Sequence, residues 1–304
     1  SHLGIQMPSL SLTLRIRGGL LRAPGPFTDS TTLAIFLMIG GLAVYALRSL
    51  FKSRPAHLIA IGVTVLGLIA TQSRGAWLGF LVGMILLESY RRRTARAIAI
   101  VAGGAVSFSL LALAAISSRR LSEILGLSGS TRGTIDYRSD LLRRGLQEAT
   151  HSPLIGSPIE VVEARLSDLV QGEGIVDFVN SYLMFLLRSG LVGLMIFICV
   201  FLVAFGALWN VRPRLLQHTA SSEPATAIFA GLVALSVALG FTSFSERNPI
   251  WLIGLLALTT VVTDSRFAIR AARPARQRLA HQQVAPIVDV PPTAPIVTVD
   301  QSRV

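Results

Sequence analysis

The chain has 304 residues, of which 52% are hydrophobic and only 14% charged, and its mean hydropathy is +0.62. Ordinary soluble domains carry about 25% charged residues, so this composition excludes a disordered chain, a disulfide scaffold and a typical cytosolic enzyme. The net charge of +12 rests on 27 Arg and a single Lys, Lys52; nucleic-acid binding and positive-inside membrane bias both produce such a balance, and the positions of the arginines separate them.

Residue 1 is Ser and no signal-peptide pattern follows it, so the sequence reads as a fragment that lacks upstream segments. Residues 1–29 form the first segment. Apolar runs suited to membrane helices then follow at about 30–47, 56–72, 75–90 and 97–117. The second and third runs meet at Thr71-Gln72-Ser73-Arg74-Gly75, which predicts a tight helical hairpin. The third run is short, with Glu88 near one end, so a re-entrant or tilted helix is the alternative. Glycine pairs such as Gly40-Gly41 and Gly103-Gly104 read as helix-packing positions rather than phosphate loops.

Residues 118–181 form a long polar loop with seven Arg and nine Asp or Glu. Within it, 136–150 has an apolar stripe of Tyr137, Leu141, Leu142, Leu146 and Ala149 opposite Arg138, Arg143 and Arg144. Ser157-Pro158-Ile159-Glu160 predicts a capping box with Pro at the first helical position. That helix places Ile159, Val162, Leu166, Leu169 and Val170 on one face, and Gly172 is its expected stop. Gly126, Ser128, Gly129, Ser130 and Gly133 predict a mobile loop before the first of these helices. Three more apolar runs follow at 182–209, 225–244 and 249–264, within a segment 182–265. Cys199 lies in the first of them and reads as a buried small hydrophobe. The tail 266–304 is basic, then rich in Pro and Val, and is expected to be disordered.

If seven helices alternate, Arg48, Lys52 and Arg54, then Arg91, Arg92, Arg93 and Arg96, then Arg212 and Arg214, then the arginines of the tail all fall on one side. That side is expected to be cytoplasmic. The fold class is therefore all-α, a polytopic membrane bundle of about seven transmembrane helices with a helical periplasmic loop. Nucleic acid is not expected as a partner.

Arginines on the other side need another reason. Arg74 is the sharpest, because it sits where two short apolar helices meet, and an ionisable group there marks a functional site; snorkelling to lipid phosphate or capping the helix is its ordinary reading. Outer arginines suit a polyanionic, membrane-embedded ligand, since the guanidinium fork holds phosphate at any working pH. A diphosphate held this way can leave without a metal ion, and no Asp-rich motif is present, so neither a metal site nor a cofactor is expected. Transfer to a hydroxyl also wants a base. The candidates are His151, Glu148, Asp177, Glu173 and Glu246, with Arg247 beside the last. His151 reads equally as a helix C-terminal residue, and Asp177 as the N-terminal cap of the fifth run.

Four motifs resemble those of the O-antigen ligase and polysaccharide polymerase superfamily of bacterial inner membranes. They are Gly18-Gly19-Leu20-Leu21-Arg22-Ala23-Pro24-Gly25-Pro26-Phe27, Thr71-Gln72-Ser73-Arg74-Gly75-Ala76-Trp77, Tyr137-Arg138 through His151-Ser152-Pro153-Leu154-Ile155-Gly156, and Val179-Asn180-Ser181-Tyr182-Leu183 followed by Gly190-Leu191-Val192-Gly193-Leu194. Their order, with one long loop between the third and fourth, carries the match over about residues 15–265. The resemblance implies a metal-independent, inverting membrane glycosyltransferase of the inner membrane, active at the periplasmic face. It would take glycan from an undecaprenyl-diphosphate-linked oligosaccharide donor and pass it to another lipid-linked glycan or to lipid A core, alongside other polysaccharide assembly proteins. Arg22, Arg74 and Arg138 would hold the diphosphate, Asp177 or His151 would act as base, and Asn180, Tyr182, Glu246 and Arg247 would give the cavity polar support. Val179 stands where ligases carry His, which favours a polymerase of O-antigen or exopolysaccharide over a ligase. A flippase or exporter of anionic lipid-linked glycan, or a non-catalytic assembly subunit, are the competing readings.

Overall fold

The computed structural model describes residues 16–17, 20–21, 25–27, 29–117, 129–169, 178–217, 219–243 and 249–264. Apart from a two-residue antiparallel ladder, β1 (Ile16–Arg17) against β2 (Leu20–Leu21), its regular structure is helical. Seven longer helices form the bundle: α1 (Ser30–Ala46), α2 (Arg54–Ala70), α3 (Arg74–Tyr90), α4 (Thr94–Ser117), α7 (Ser181–Leu215), α8 (Thr219–Leu239) and α9 (Pro249–Thr263). They coincide within a few residues with the seven predicted runs. Two of them, α7 and the 222–239 part of α8, are long and apolar enough to cross a membrane. Helices α5 (Gly129–Ala149) and α6 (Ile159–Arg165) belong to the polar loop.

Helix α8 is the centre of the bundle and packs on α1, α3, α7 and α9. Small residues make this possible: Ala225, Thr226, Ala230, Ala234 and Ala238 are all buried along it. They meet a matching ridge on α3, where Gly75, Gly79 and Gly83 recur every fourth residue. A Cβ at Gly79 would lie 2.6 Å from the Ala234 carbonyl oxygen, and one at Gly83 would lie 3.2 Å from that of Ala230. Backbones approach this closely only where side chains are absent. The third run is thus one continuous 17-residue helix, about 26 Å long, at the heart of the bundle. Of the glycines singled out in the sequence, Gly41 does pack closely, against Thr64 and Phe80, whereas Gly40 and Gly103 face open space. The ridge on α3 is the packing signal that the paired glycines obscured.

The contacts fix the direction of each helix. Tyr45 near the end of α1 bonds Glu88 near the end of α3, so these two run parallel. His57 at the start of α2 meets the Val44 carbonyl, so α2 runs back along α1. Arg212 near the end of α7 donates to the Ser89 and Tyr90 carbonyls, and Thr226 near the start of α8 accepts from Arg91. One end of the bundle therefore gathers Arg48, Lys52, Arg54, Arg91, Arg92, Arg93, Arg96, Arg212 and Arg214. We call it the basic end. The opposite, cap end carries the 71–73 turn, the start of α7, the end of α8 and the loop helices. The tail arginines, which the sequence also assigns to the basic side, lie outside the described residues, as does the rest of the tail.

Large apolar side chains cover the outside of the bundle, including Leu58, Val63 and Leu66 on α2 and Met195, Leu202 and Val203 on α7, each at least half exposed. Cys199 belongs to this outer face and is exposed, not buried as the apolar run suggested. An apolar run does not say which face turns inward, and α7 buries Phe197, Phe201 and Leu208 instead.

Three expectations for the loop need correction. Gly129, Ser130 and Gly133 lie in α5, not in a loop, because the helix begins earlier than its apolar stripe; Gly126 and Ser128 are outside the described residues. The buried face of α5 runs through Tyr137, Leu141, Gly145 and Glu148, whereas Leu142 and Leu146 are exposed. A four-residue spacing lets Gly145 seat Leu183 of α7 against the helix backbone, with the nearest carbon 2.9 Å from where a Cβ would be. No capping box forms: the N-cap of α6 is Pro158, without a side-chain bond, and the Ser157 N–H donates to the Leu187 carbonyl. The predicted face otherwise holds, with Val162 and Leu166 buried and Ile159 and Leu169 packed beside them. The helix ends at Arg165 and continues as one 3-10 turn, Ser167–Leu169, short of Gly172; Val170 and Gly172 are not described.

Candidate functional site

At the cap end, α2 and α3 join through a left-handed residue, Gln72, with φ 53°. Thr71 is fully buried, its hydroxyl donating to the Leu68 carbonyl at 2.7 Å. The Trp77 indole N–H donates to the same carbonyl at 2.8 Å. These bonds close the orphaned end of α2 and fix where α3 starts, which is at Arg74. Its side chain is half-buried at the first position of α3. Next to it, Gly75 lies against Phe241, which follows α8.

The start of α7 sits in the same neighbourhood. Asn180 caps this helix, its Oδ1 accepting from Tyr182 N at 3.0 Å and Leu183 N at 3.2 Å. The cap is thus Asn180 and not Asp177, for which the sequence offered this role as the alternative reading. Ser181 is buried and donates to the Thr242 carbonyl, Ser243 donates to the Phe178 carbonyl, and the Tyr182 hydroxyl donates to the Ser236 carbonyl at 2.7 Å. Asn180 therefore caps α7 itself, and Ser181 and Tyr182 tie the start of α7 into the bundle through their hydroxyls.

Helix α7 is not one rod. Gly190 has φ 65° and ψ −168°, a conformation nearly confined to glycine. Phe185 stacks on Phe197 with ring centroids 4.1 Å apart, although twelve residues of straight helix span about 18 Å. The chain therefore turns sharply at Gly190, and the predicted span 182–209 is two helical segments. The break leaves backbone groups that need partners, and the loop supplies them. Leu191 N donates to the Pro153 carbonyl at 2.8 Å, Val192 N to the Leu154 carbonyl at 3.2 Å, and Ser157 N to the Leu187 carbonyl at 2.8 Å. Gly156, with φ 79°, lets the two chains touch: a Cβ there would lie 2.5 Å from the Arg188 backbone. The third and fourth sequence motifs thus interlock, backbone to backbone.

His151 lies just before this junction. Its Nδ1 is 3.5 Å from a carboxylate oxygen of Glu148 and 3.2 Å from the Glu148 carbonyl. Glu148 is 9% exposed, and its other oxygen accepts from Arg165 of α6 at 2.5 Å. A second pair, Arg144 with Asp168, joins α5 to the turn after α6. The loop helices are so held to each other by ion pairs and to α7 by a small core of Leu141, Val162, Leu166, Leu183 and Leu187. The sequence pointed to Glu148 and His151 as separate candidates; their partnership with Arg165 was not legible, because it joins positions 17 residues apart in two different helices. Arg138 is exposed on α5, one turn from buried Leu141. Arg22, Asp177, Glu246 and Arg247 lie outside the described residues.

Residues 59–198 match the family model described as O-antigen ligase. This stretch is similar to the O-antigen ligase superfamily. It contains three of the four motifs, from the 71–77 turn through the Gly190 break, and so covers the interlocked elements described above. No curated protein matches the chain. The match likens this stretch to a membrane-associated family of glycan ligases and polymerases, and two helices are long and apolar enough to cross a membrane.

Proposed function

We propose that the protein is a polytopic membrane glycosyltransferase that polymerises or ligates undecaprenyl-diphosphate-linked glycan at the periplasmic face, with polymerisation favoured. The carrying observation is the O-antigen ligase segment, whose motifs converge on the cap end of the bundle. In this reading all seven bundle helices cross the membrane, the basic end is cytoplasmic, and the cap end faces the periplasm. The apolar exterior supports the first point, since a surface of that kind is stable against lipid and prone to aggregate in water.

Arg74 begins a helix, close to where hydrocarbon ends, and supplies a fixed cation for the diphosphate of the donor. Arg22 and Arg138 complete the clamp. The bond between the donor's sugar carbon and its diphosphate oxygen breaks as the acceptor hydroxyl attacks from the opposite face, and the arginines stabilise the departing charge without a metal. A base takes the hydroxyl proton. His151 is supported for this role by Glu148, which lies beside Nδ1 and orients the ring; Asp177 is the other candidate. Val179, in place of the ligase His, supports a polymerase over a ligase.

The test uses purified full-length protein in proteoliposomes, with an undecaprenyl-diphosphate oligosaccharide. Elongation of the donor in the presence of EDTA is the expected result. Transfer only to added lipid A core would replace polymerase by ligase. Passage of the donor across the bilayer without a new glycosidic bond would replace the enzyme reading with that of an exporter.

A further inference from the structure

A cavity of about 740 Å³ opens at the basic end, far from the cap. Its walls come from the α1–α2 turn, the α3–α4 turn and the junction of α7 with α8. Arg48, Arg92, Arg93 and Arg96 stand around it, all exposed, and none forms an ion pair with a described residue. Deeper groups are committed. Arg91 donates to the Ala46 carbonyl at 2.8 Å, and burial lowers its pKa against the opposing pull of Glu88. Glu223 accepts from Ser49 through both backbone and side chain. One deep atom is left over. Glu88 is fully buried, and while Oε1 accepts from the Tyr45 hydroxyl at 3.0 Å, Oε2 has no hydrogen-bond partner.

Orientation bias accounts for arginines in turns, but not for a concave site with an unsatisfied carboxylate oxygen among its lining groups. A ligand that satisfies all of it carries a phosphate for the arginines and a hydroxyl for Glu88. The side formed by α2 is apolar: Leu58 and Ile61 line the cavity, and Leu58 is 66% exposed on the outer face of the bundle. A chain leaving the cavity along α2 would run down the apolar exterior through Val63 and Leu66.

We propose that this cavity binds an anionic glycerophospholipid with a hydroxylated headgroup, of the phosphatidylglycerol class, from the leaflet at the basic end. The phosphate sits among Arg48, Arg92, Arg93 and Arg96, the headgroup hydroxyl donates to Glu88 Oε2, and an acyl chain follows α2. The site is separate from the proposed catalytic end and does not depend on which glycan is handled.

Native mass spectrometry of the detergent-solubilised full chain tests this, with phosphatidylglycerol and phosphatidylcholine titrated in parallel. The wild type is expected to prefer phosphatidylglycerol by about tenfold or more, at about fivefold per arginine contact. The Arg93→Ala/Arg96→Ala variant, altered only at exposed positions, should lose that preference. The Arg54→Ala/Arg214→Ala variant removes equal charge from the same end outside the cavity and should keep it. Glu88→Gln should weaken phosphatidylglycerol but leave phosphatidic acid, which has no headgroup hydroxyl, unchanged. Equal losses in the two double variants would overturn the site in favour of diffuse surface charge. Displacement of the lipid preference by millimolar glycerol 1-phosphate, with no contribution from the acyl chains, would make the ligand a soluble phosphate and overturn the lipid.

Discussion

At the scale of single residues, the strongest expectation concerns Arg74. Its place at the first position of α3 is set by neighbouring bonds of Thr71 and Trp77 rather than by its own charge. Replacing it should therefore spare the fold and remove the cation. Arg74→Ala is expected to lower glycan transfer by about 100-fold or more at normal protein levels, and Arg74→Lys to restore only part of it, since ammonium lacks the planar fork. Radiolabelled donor turnover by equal amounts of purified protein reads both; undiminished turnover by Arg74→Ala would remove this residue from the site. The Glu148 group separates structure from chemistry in a similar way. Arg165→Ala leaves a buried carboxylate without its cation and should cost about 1–3 kcal/mol of stability. His151→Ala, at a largely exposed side chain, should leave thermal unfolding unchanged and lower turnover instead. A melting point that falls with His151→Ala while turnover per folded molecule holds would make His151 a structural residue.

Among elements, α3 and α7 do the work that neither composition nor hydropathy reveals. Gly79 permits contact with the Ala234 carbonyl, so Gly79→Ala must push α3 from α8 and is expected to cost about 1–3 kcal/mol. Gly103 on α4 faces open space, and Gly103→Ala should be neutral or stabilise by about 0.5–1 kcal/mol. Thermal unfolding of both variants in one detergent makes the comparison, and equal behaviour would deny the ridge its packing role. The break in α7 invites a different test. Gly190→Ala forces a Cβ into the Leu154 backbone at a conformation that only glycine adopts easily. The loop helices should then detach from α7, and limited proteolysis should cut within 129–169 several times faster than in the wild type, while the bundle core survives.

For the whole molecule, the alternation of helix directions places three described arginine clusters at one end and the loop helices at the other. The proposed orientation follows from this polarity and is open to labelling. In a Cys199→Ala background, Lys52→Cys should be shielded from a membrane-impermeant maleimide in intact spheroplasts, and Glu160→Cys should react. The reverse pattern would invert the molecule and place the cap in the cytoplasm.

Much of this was legible in the chain itself. The seven apolar runs, the hairpin at 71–75, the charge polarity and the amphipathic pattern of α6 all reflect local periodicity, and burial of apolar groups is dictated by local sequence wherever a helix has one oily face. The resemblance over residues 59–198 was legible too, through the order of its motifs. Tertiary structure alone decided which motifs meet. That α8 is the hub, that the Gly75–Gly79–Gly83 ridge is its counterpart, and that the Pro153–Gly156 segment repairs the broken backbone at Gly190 depend on contacts between residues distant in the chain. The face of α7 that turns inward, and so the exposure of Cys199, was set by its neighbours. A hydropathy pattern records how much surface a helix must hide from water; only the assembled bundle determines against what.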